Sequence, residues 1–307
     1  MKLKKFIAVM AAVGMVASLA VGCGGSSEDT SAEGGDAAAE GSSDWDSSMD
    51  ITIVSREDGS GTRGAFIELF GIEEEVDGEK VDMTTEEAQI TNSTSVMLTT
   101  VAGDDYAIGY VSLGSLDDSV KALKIDGAEA TAENIKSGDY KVSRPFNIAT
   151  KTDMNNPTAE DFISFIMSQE GQDVVAEEGY IPLDGAEAYA GDAPAGKVVV
   201  GGSSSVSPVM EKLIEAYAEV NPDAEIELQT TDSTTGMESA ISGAYDIGMA
   251  SREVKEDELS AGLEAQVIAT DGIAVVVNNN NPTDELTSDQ VKSIYTGEAL
   301  TWDEVVE

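Results

Sequence analysis

The stretch "SREDGSGTRGAF", Ser55 to Phe66, gathers two arginines, three glycines, two serines and a threonine in a chain that carries 59 acidic residues. A guanidinium is a planar fork of donors matched to an oxyanion. Glycine and hydroxyl residues at a helix start leave backbone N–H groups, and the positive end of the helix dipole, open to the same partner. The chemistry these residue types support is anion binding.

Two more segments follow the pattern. "VVVGGSSSVSP" puts Gly201, Gly202, Ser203, Ser204 and Ser205 between a strand and a helix start, and "TTDSTTGMESAI" puts Ser233, Thr234 and Thr235 at another. Taken singly, each loop is explained as a cap or turn, for which Ser, Thr and Gly are common residues. Three of them, one with arginine, exceed what capping requires.

Catalysis finds less support. The sequence contains no histidine, so Ser-His-Asp, Cys-His and His-ligated metal sites are excluded. "DGSGT" lacks the first glycine of a G-x-S-x-G elbow, and no G-x-x-x-x-G-K-[ST] phosphate loop occurs. With no nucleophile beside a base, we expect neither an enzyme nor a metal or other cofactor.

The loops need a scaffold, and the 307 residues, 41% hydrophobic and 25% charged, are enough for one large domain or two lobes. Strand signals ("ITIV", "AIGYVSL", "RPFNIAT", "KVVVGG", "AEIELQT", "YDIGMAS", "GIAVVVN") alternate with helical ones ("TRGAFIELF", "SVMLTTVA", "AEDFISFIMSQEGQDVVAEE", "SVSPVMEKLIEAYAEV"). In the last of these Val206, Val209, Met210, Leu213, Ile214 and Tyr217 fall on one face, which predicts a buried stripe. The pattern is α/β.

The N-terminus, "MKLKKFIAVMAAVGMVASLAVGCGG", has three lysines, an apolar run and then small residues, the layout of an export signal over residues 1–22. Cys23 after "LAVG" resembles a bacterial lipoprotein cleavage box, with Ala20 where leucine is usual; an ordinary signal peptide with an incidental cysteine is the alternative. Gly24 to Met49 is rich in Gly, Ser, Ala and acids, so residues 23–49 read as a lipidated cysteine and flexible linker, with the fold starting near Asp50. A single cysteine allows no internal disulfide. Without residues 1–22, 14 basic stand against 59 acidic residues, a net of −45, which repels nucleic acid and anionic lipid. Membrane contact is expected only through the lipid anchor, on the outer face of the cell membrane.

The motifs "GGSSSVSPVMEKLIEAY", "DSTTGMESAISGAYDIGMASRE", "DGIAVVVNNNNP", "VKSIYTGEALTWDEV", "SREDGSGTRGAF", "AIGYVSLGSL" and "RPFNIAT" together resemble the phosphate-binding protein of the ABC-type phosphate importer, over most of Ile51 to Glu307. The resemblance implies a two-lobed periplasmic-binding-protein type II fold, a monomer that clamps dehydrated inorganic phosphate and delivers it to an ABC permease. It assigns Ser204, Ser205 and Ser233 to phosphate from the two serine-rich loops, and Arg56, Ser60, Gly61 and Thr62 from "R-x-D-G-S-G-T". Arg56 is expected to pair bidentately with phosphate, and Asp58 to hold Arg56 in place. Arg63 need be no more than a surface residue.

The order of the motifs differs from that of the family, which usually begins with "GGSSSVSP" and reaches "DGSGT" in its second half. This reads as a circular permutation, the family's ends being joined through "DGAEAYAGDAPAGK"; the alternative is a fragment of a tandem array. The expected layout is lobe II from residues 50–143 and 278–307, lobe I from 144–277, and a hinge at "RPFNIAT" and "GIAVVVN".

Many members carry an aspartate after "GAS" that accepts the proton of monohydrogen phosphate. In "GMASRE" Ser251 stands there, followed by Arg252 and Glu253. We take Ser251 as a site residue and Asp271, in "IATDGIAVVV", as the candidate proton acceptor, with Asp232 and Glu253 as alternatives and a simple Asp-Gly turn as the competing explanation. Two further functions stay open: binding of another tetrahedral oxyanion (sulfate, molybdate or tungstate), and a surface sensor or adhesion module that keeps the fold.

Overall fold

Short, continuously apolar runs such as Ala107–Ser112 cannot alternate between core and water, so they form interior strands with cover on both faces. The computed structural model describes residues 45–306. In chain order, the first stretch gives β1 (Thr52–Arg56), α1 (Gly61–Leu69), the hairpin β2 (Glu73–Val76) and β3 (Glu79–Asp82), β4 (Gln89–Thr91), α2 (Thr94–Ala102), β5 (Ala107–Ser112), β6 (Val120–Ala122), β7 (Lys124–Ile125) and α3 (Ala132–Ser137). The second gives β8 (Ser143–Lys151), α4 (Pro157–Ile166), α5 (Gln169–Glu177), β9 (Gly196–Ser203), α6 (Ser207–Val220), β10 (Ala224–Thr231), α7 (Ser233–Ser242), β11 (Ile247–Ala250), α8 (Glu256–Ser260) and β12 (Leu263–Asn278). The chain then returns to the first region through β13 (Glu285–Leu286) and α9 (Ser288–Tyr295).

Nine strands form one mixed sheet in the order β10-β9-β11-β8-β12-β5-β1-β4, with β6 also on β12. Two cores flank it. One gathers Phe66, Tyr110, Tyr295 and Trp302, the other Phe146, Phe162, Phe165 and Tyr217, and these are the two lobes. Strands β8 and β12 pass between them, with Arg144 opposite Asp271 in their antiparallel register.

Several boundaries differ from the sequence expectation. Ile273–Val277 pack in the core of lobe II, so lobe I ends near Asp271 and not at residue 277. The helical stretch Ala159–Glu178 is two helices, because Ser168 accepts the Gly171 N–H as the cap of α5. Trp45, inside the stretch expected to be linker, is part of the fold: its ring stacks on Tyr106 at 4.6 Å and meets Trp302 edge-on at 5.9 Å. Asp50 bridges to Thr301, and the Asp303 N–H donates to the Ser47 carbonyl at 2.7 Å, so the two ends of the fold adjoin.

The segment joining α5 to β9 has no regular structure of its own, yet it is pinned. Tyr189 Oη and Tyr217 Oη each donate to Asp161 Oδ2 at 2.6 Å, and the Asp192 N–H donates to Asp161 Oδ1 at 3.0 Å. The expected buried stripe of α6 is present, with Val206, Val209, Met210, Leu213 and Tyr217 buried and Ile214 at its margin. The expected signal peptide, Cys23 and the expected linker up to residue 44 lie outside the described residues. Among the described residues no helix is long and apolar enough to cross a membrane.

Candidate anion-binding site

Four helices begin at the seam between the lobes. Lobe II supplies α1, capped by Ser60, and α2, capped by Ser93; lobe I supplies α6, after the Ser203–Ser205 loop, and α7, capped by Asp232. Hydroxyls from both sides meet there. Thr62 Oγ1 and Ser205 Oγ share a hydrogen bond of 2.8 Å, Thr94 Oγ1 lies 3.2 Å from Ser205 Oγ, and the Thr94 N–H donates to Ser204 Oγ at 3.4 Å. Deeper in lobe I, Ser203 Oγ donates to Ser251 Oγ at 2.9 Å, and the Ser251 N–H donates to Ser233 Oγ at 3.1 Å. Gly61 is required by this approach, because a Cβ there would run into the Ser233 and Ser251 hydroxyls.

The first turns of these helices share a property. An acidic residue near a helix N-terminus is favourable, and α3, α4, α5, α8 and α9 each carry one or more (Glu133, Glu160, Glu170, Glu256 to Glu258, Asp289). Helices α1, α2, α6 and α7 carry none. The four helices with no acid in the first turn are the four that meet at the seam, and α1, α2 and α6 have no carboxylate at the cap either, whereas α7 is capped by Asp232, whose Oδ1 accepts the Thr235 N–H at 2.9 Å. The N–H groups and dipoles of α1, α2 and α6 therefore face the cleft without a carboxylate beside them, which is the arrangement an anion needs.

Arg56 stands at the end of β1, 2% exposed. Its Nε and Nη2 donate to the two carboxylate oxygens of Glu57 at 2.9 and 2.8 Å, and Nη2 also donates to Ser204 Oγ at 3.1 Å. Its Nη1 has no hydrogen-bond partner among the described residues, which leaves that edge of the fork for a ligand. The backbone is held from below, where the Arg56 N–H donates to Tyr110 Oη at 3.1 Å. Burial raises the Tyr110 phenol to about 12, against hydrogen bonds from Ser55 and the Arg56 N–H. The Tyr110 ring stacks on Phe66 at 3.9 Å, so helix α1 and strand β5 together hold the phenol that anchors the Arg56 backbone.

The PBP superfamily domain matches residues 36–170 and 187–306 of the chain. The phosphate-binding protein PstS 2 of Streptococcus agalactiae serotype V is 60% identical over 256 residues, 83% of this chain and 87% of that protein. Its namesake in Streptococcus pneumoniae serotype 4 is 40% identical over 306 residues, 99% of this chain and all of that one. The chain belongs to the PstS family of the PBP superfamily. In the same family, the crystal structure of a phosphate ABC transporter phosphate-binding protein from Streptococcus pneumoniae TIGR4 superposes with a TM-score of 0.67 at 42% identity, covering 84% of this chain and 100% of that chain.

Of the residues expected from sequence, Arg56, Ser60, Gly61, Thr62, Ser204, Ser205, Ser233 and Ser251 come together at the seam. Asp58 does not hold Arg56. Its carboxylate accepts from Arg63 Nη1 at 2.9 Å and is almost fully exposed, while the neighbouring Glu57 takes the supporting place. Nor is Arg63 a free surface residue: it is largely buried, its Nη1 donates to the Arg56 carbonyl at 2.7 Å, and its Nε donates to Asp82 at 2.8 Å. Asp271 lies one layer behind the hydroxyls. Its Oδ1 accepts from Ser112 Oγ at 2.9 Å and its Oδ2 from Arg144, with no bond to any site hydroxyl. Asp232 caps α7 through the Thr235 N–H, and Glu253 is exposed.

Thr94 and Glu57 escaped the sequence reading. Thr94 had a signal: "NSTSVMLTTVA" places a capping serine, then a threonine, at the start of a predicted helix with no acid in its first turn. Glu57 had none that separated it from Asp58, because adjacent carboxylates in a turn are distinguished only by the backbone path.

Proposed function

We propose that this chain captures inorganic phosphate between its two lobes outside the cell and delivers it to an ABC permease. The observation that carries the reading is the set of three acid-free helix starts, α1, α2 and α6, converging with the start of α7 on Arg56 and a cluster of hydroxyls. Arg56 pairs with phosphate through its unused edge, and Thr62, Thr94, Ser204, Ser205, Ser233 and Ser251 supply hydroxyl donors. Such donors act over a few ångströms in a dry cleft, whereas the surface charge is screened beyond about 8 Å at physiological ionic strength. The names of the streptococcal relatives support phosphate as the ligand. The protein works as a monomer held to the membrane by a lipid on Cys23.

Circular permutation of the family order is part of the proposal. It is supported by the bridge between Asp50 and Thr301, which sets the two ends of the fold side by side. The pneumococcal relative aligns along its whole length, so it shares this segment order.

A second reading, another tetrahedral oxyanion, is favoured by one observation: among the described residues no carboxylate bonds to the hydroxyls of Thr62, Thr94, Ser204, Ser205, Ser233 or Ser251. A proton on the ligand must then be accepted by a hydroxyl, a weaker basis for rejecting sulfate. Titration calorimetry with phosphate, sulfate and molybdate decides between them. Tighter binding of sulfate or molybdate than of phosphate overturns the first reading, and no binding of any anion overturns both.

A further inference from the structure

We infer that Arg144 and Asp271 are positioning residues that tie the Ser251 loop of lobe I to lobe II, and so set how fast a captured oxyanion is released. The inference rests on the anion-capture reading. The two residues face each other across β8 and β12 where both strands pass between the lobes. Both are buried, with side chains 2% and 0% exposed, and Arg144 Nη2 donates to Asp271 Oδ2 at 3.0 Å.

A buried ion pair at such a place is a poor way to gain stability. Desolvation of the two charges offsets most of their attraction, and a Val or Ile pair would fill the same strands at less cost. What the pair provides is connection in two directions. Toward the site, Arg144 Nη1 donates to the Ser251 carbonyl at 3.0 Å, on the loop whose N–H and hydroxyl meet Ser233 and Ser203. Toward lobe II, the Asp271 carboxylate accepts from Ser112 Oγ at 2.9 Å, at the end of β5.

The same turn of lobe II is gripped a second time. The Tyr180 ring, from the core of lobe I, lies over Gly114 so closely that a Cβ there would collide with it. Moving the lobes apart at this seam takes Ser112 away from Asp271 and leaves a buried carboxylate short of a donor. That state is disfavoured, so the pair holds the lobes together once they meet. A proton acceptor at Asp271 would act on ligand identity; a tether at Asp271 acts on departure, whichever anion is bound.

The test is stopped-flow release of phosphate from the full chain, comparing the parent with Asp271→Asn and with the double variant Arg144→Met, Asp271→Leu. The double variant removes both charges while filling the space, and is expected to melt no lower than the parent. Both are expected to release phosphate at least about tenfold faster, the rate equivalent of one charge-assisted hydrogen bond, with association rates and the phosphate-to-sulfate preference unchanged. Unchanged release from a double variant of parental melting temperature overturns the inference, as does a changed anion preference at constant release rate, which would restore Asp271 as proton acceptor. If the parent binds no oxyanion, the capture reading fails by itself, and amide exchange across the end of β5 and the turn after it, Ser112 to Gly114, then decides: Asp271→Asn leaving that exchange unchanged overturns the tether.

Discussion

Thr62 of lobe II and Ser205 of lobe I place their hydroxyls 2.8 Å apart across the cleft, within hydrogen-bonding distance of each other. Thr62→Val keeps the shape and removes the donor. Phosphate affinity is expected to fall by about 1.5 kcal/mol or more, the worth of a hydrogen bond to a charged group, with melting temperature held. Calorimetry that finds parental affinity removes Thr62 from the site.

Arg56→Lys is expected to weaken phosphate binding by roughly 1.5–3 kcal/mol, because an ammonium cannot grip Glu57 with two donors and present a further edge to the ligand. The fold should survive. Glu57→Gln is the companion variant: it frees the fork to turn, so affinity falls while Arg56 remains. Loss in neither variant means the guanidinium is not a ligand group.

Helix α2 can be tested through its missing acid. Ser95→Glu puts a carboxylate in an exposed position of the first turn, one residue beyond Thr94. Thermal melting of the free protein is expected to show a gain of about 0.3–1 kcal/mol from the helix dipole, while phosphate affinity falls. The opposite signs are the signature. A gain in stability without loss of affinity would show that α2 is not an arm of the site.

The proposed permutation can be reversed. With residues 1–44 removed, a short linker from Val306 to Trp45 and new ends within Gly185–Ala188 are expected to give a folded monomer that binds phosphate. New ends within Tyr189–Asp192 are expected to lower stability by about 1–3 kcal/mol, because Tyr189 and Asp192 satisfy the Asp161 carboxylate. Paired half-domains on size-exclusion chromatography, in place of a monomer, would favour the tandem-array origin.

The loops that build the site were legible because their signals are local: Gly201–Ser205 and Ser233 lie between a strand pattern and a helix pattern a few residues apart. The lobe boundary was not. "GIAVVVN" is buried on every side, so its residues show no alternation, and periodicity cannot say that Ile273 packs against lobe II while Ile268 packs against lobe I. Asp271 followed the same limit: an Asp-Gly before a strand reads as a turn or a cleft residue, and its partner Arg144 is 127 positions away. Trp45 was hidden by its neighbours, since a Gly, Ser and acid-rich stretch outweighs one aromatic whose partners, Tyr106 and Trp302, are remote in sequence.

That aromatic contact has an optical consequence. The chain has two tryptophans, and both stand at the seam where the fold begins and ends, 5.9 Å apart, with the Trp302 Nε1–H donating to the Tyr106 carbonyl. None lines the cleft. Intrinsic tryptophan emission is therefore a gauge of whether Trp45 and Trp302 remain fastened to each other.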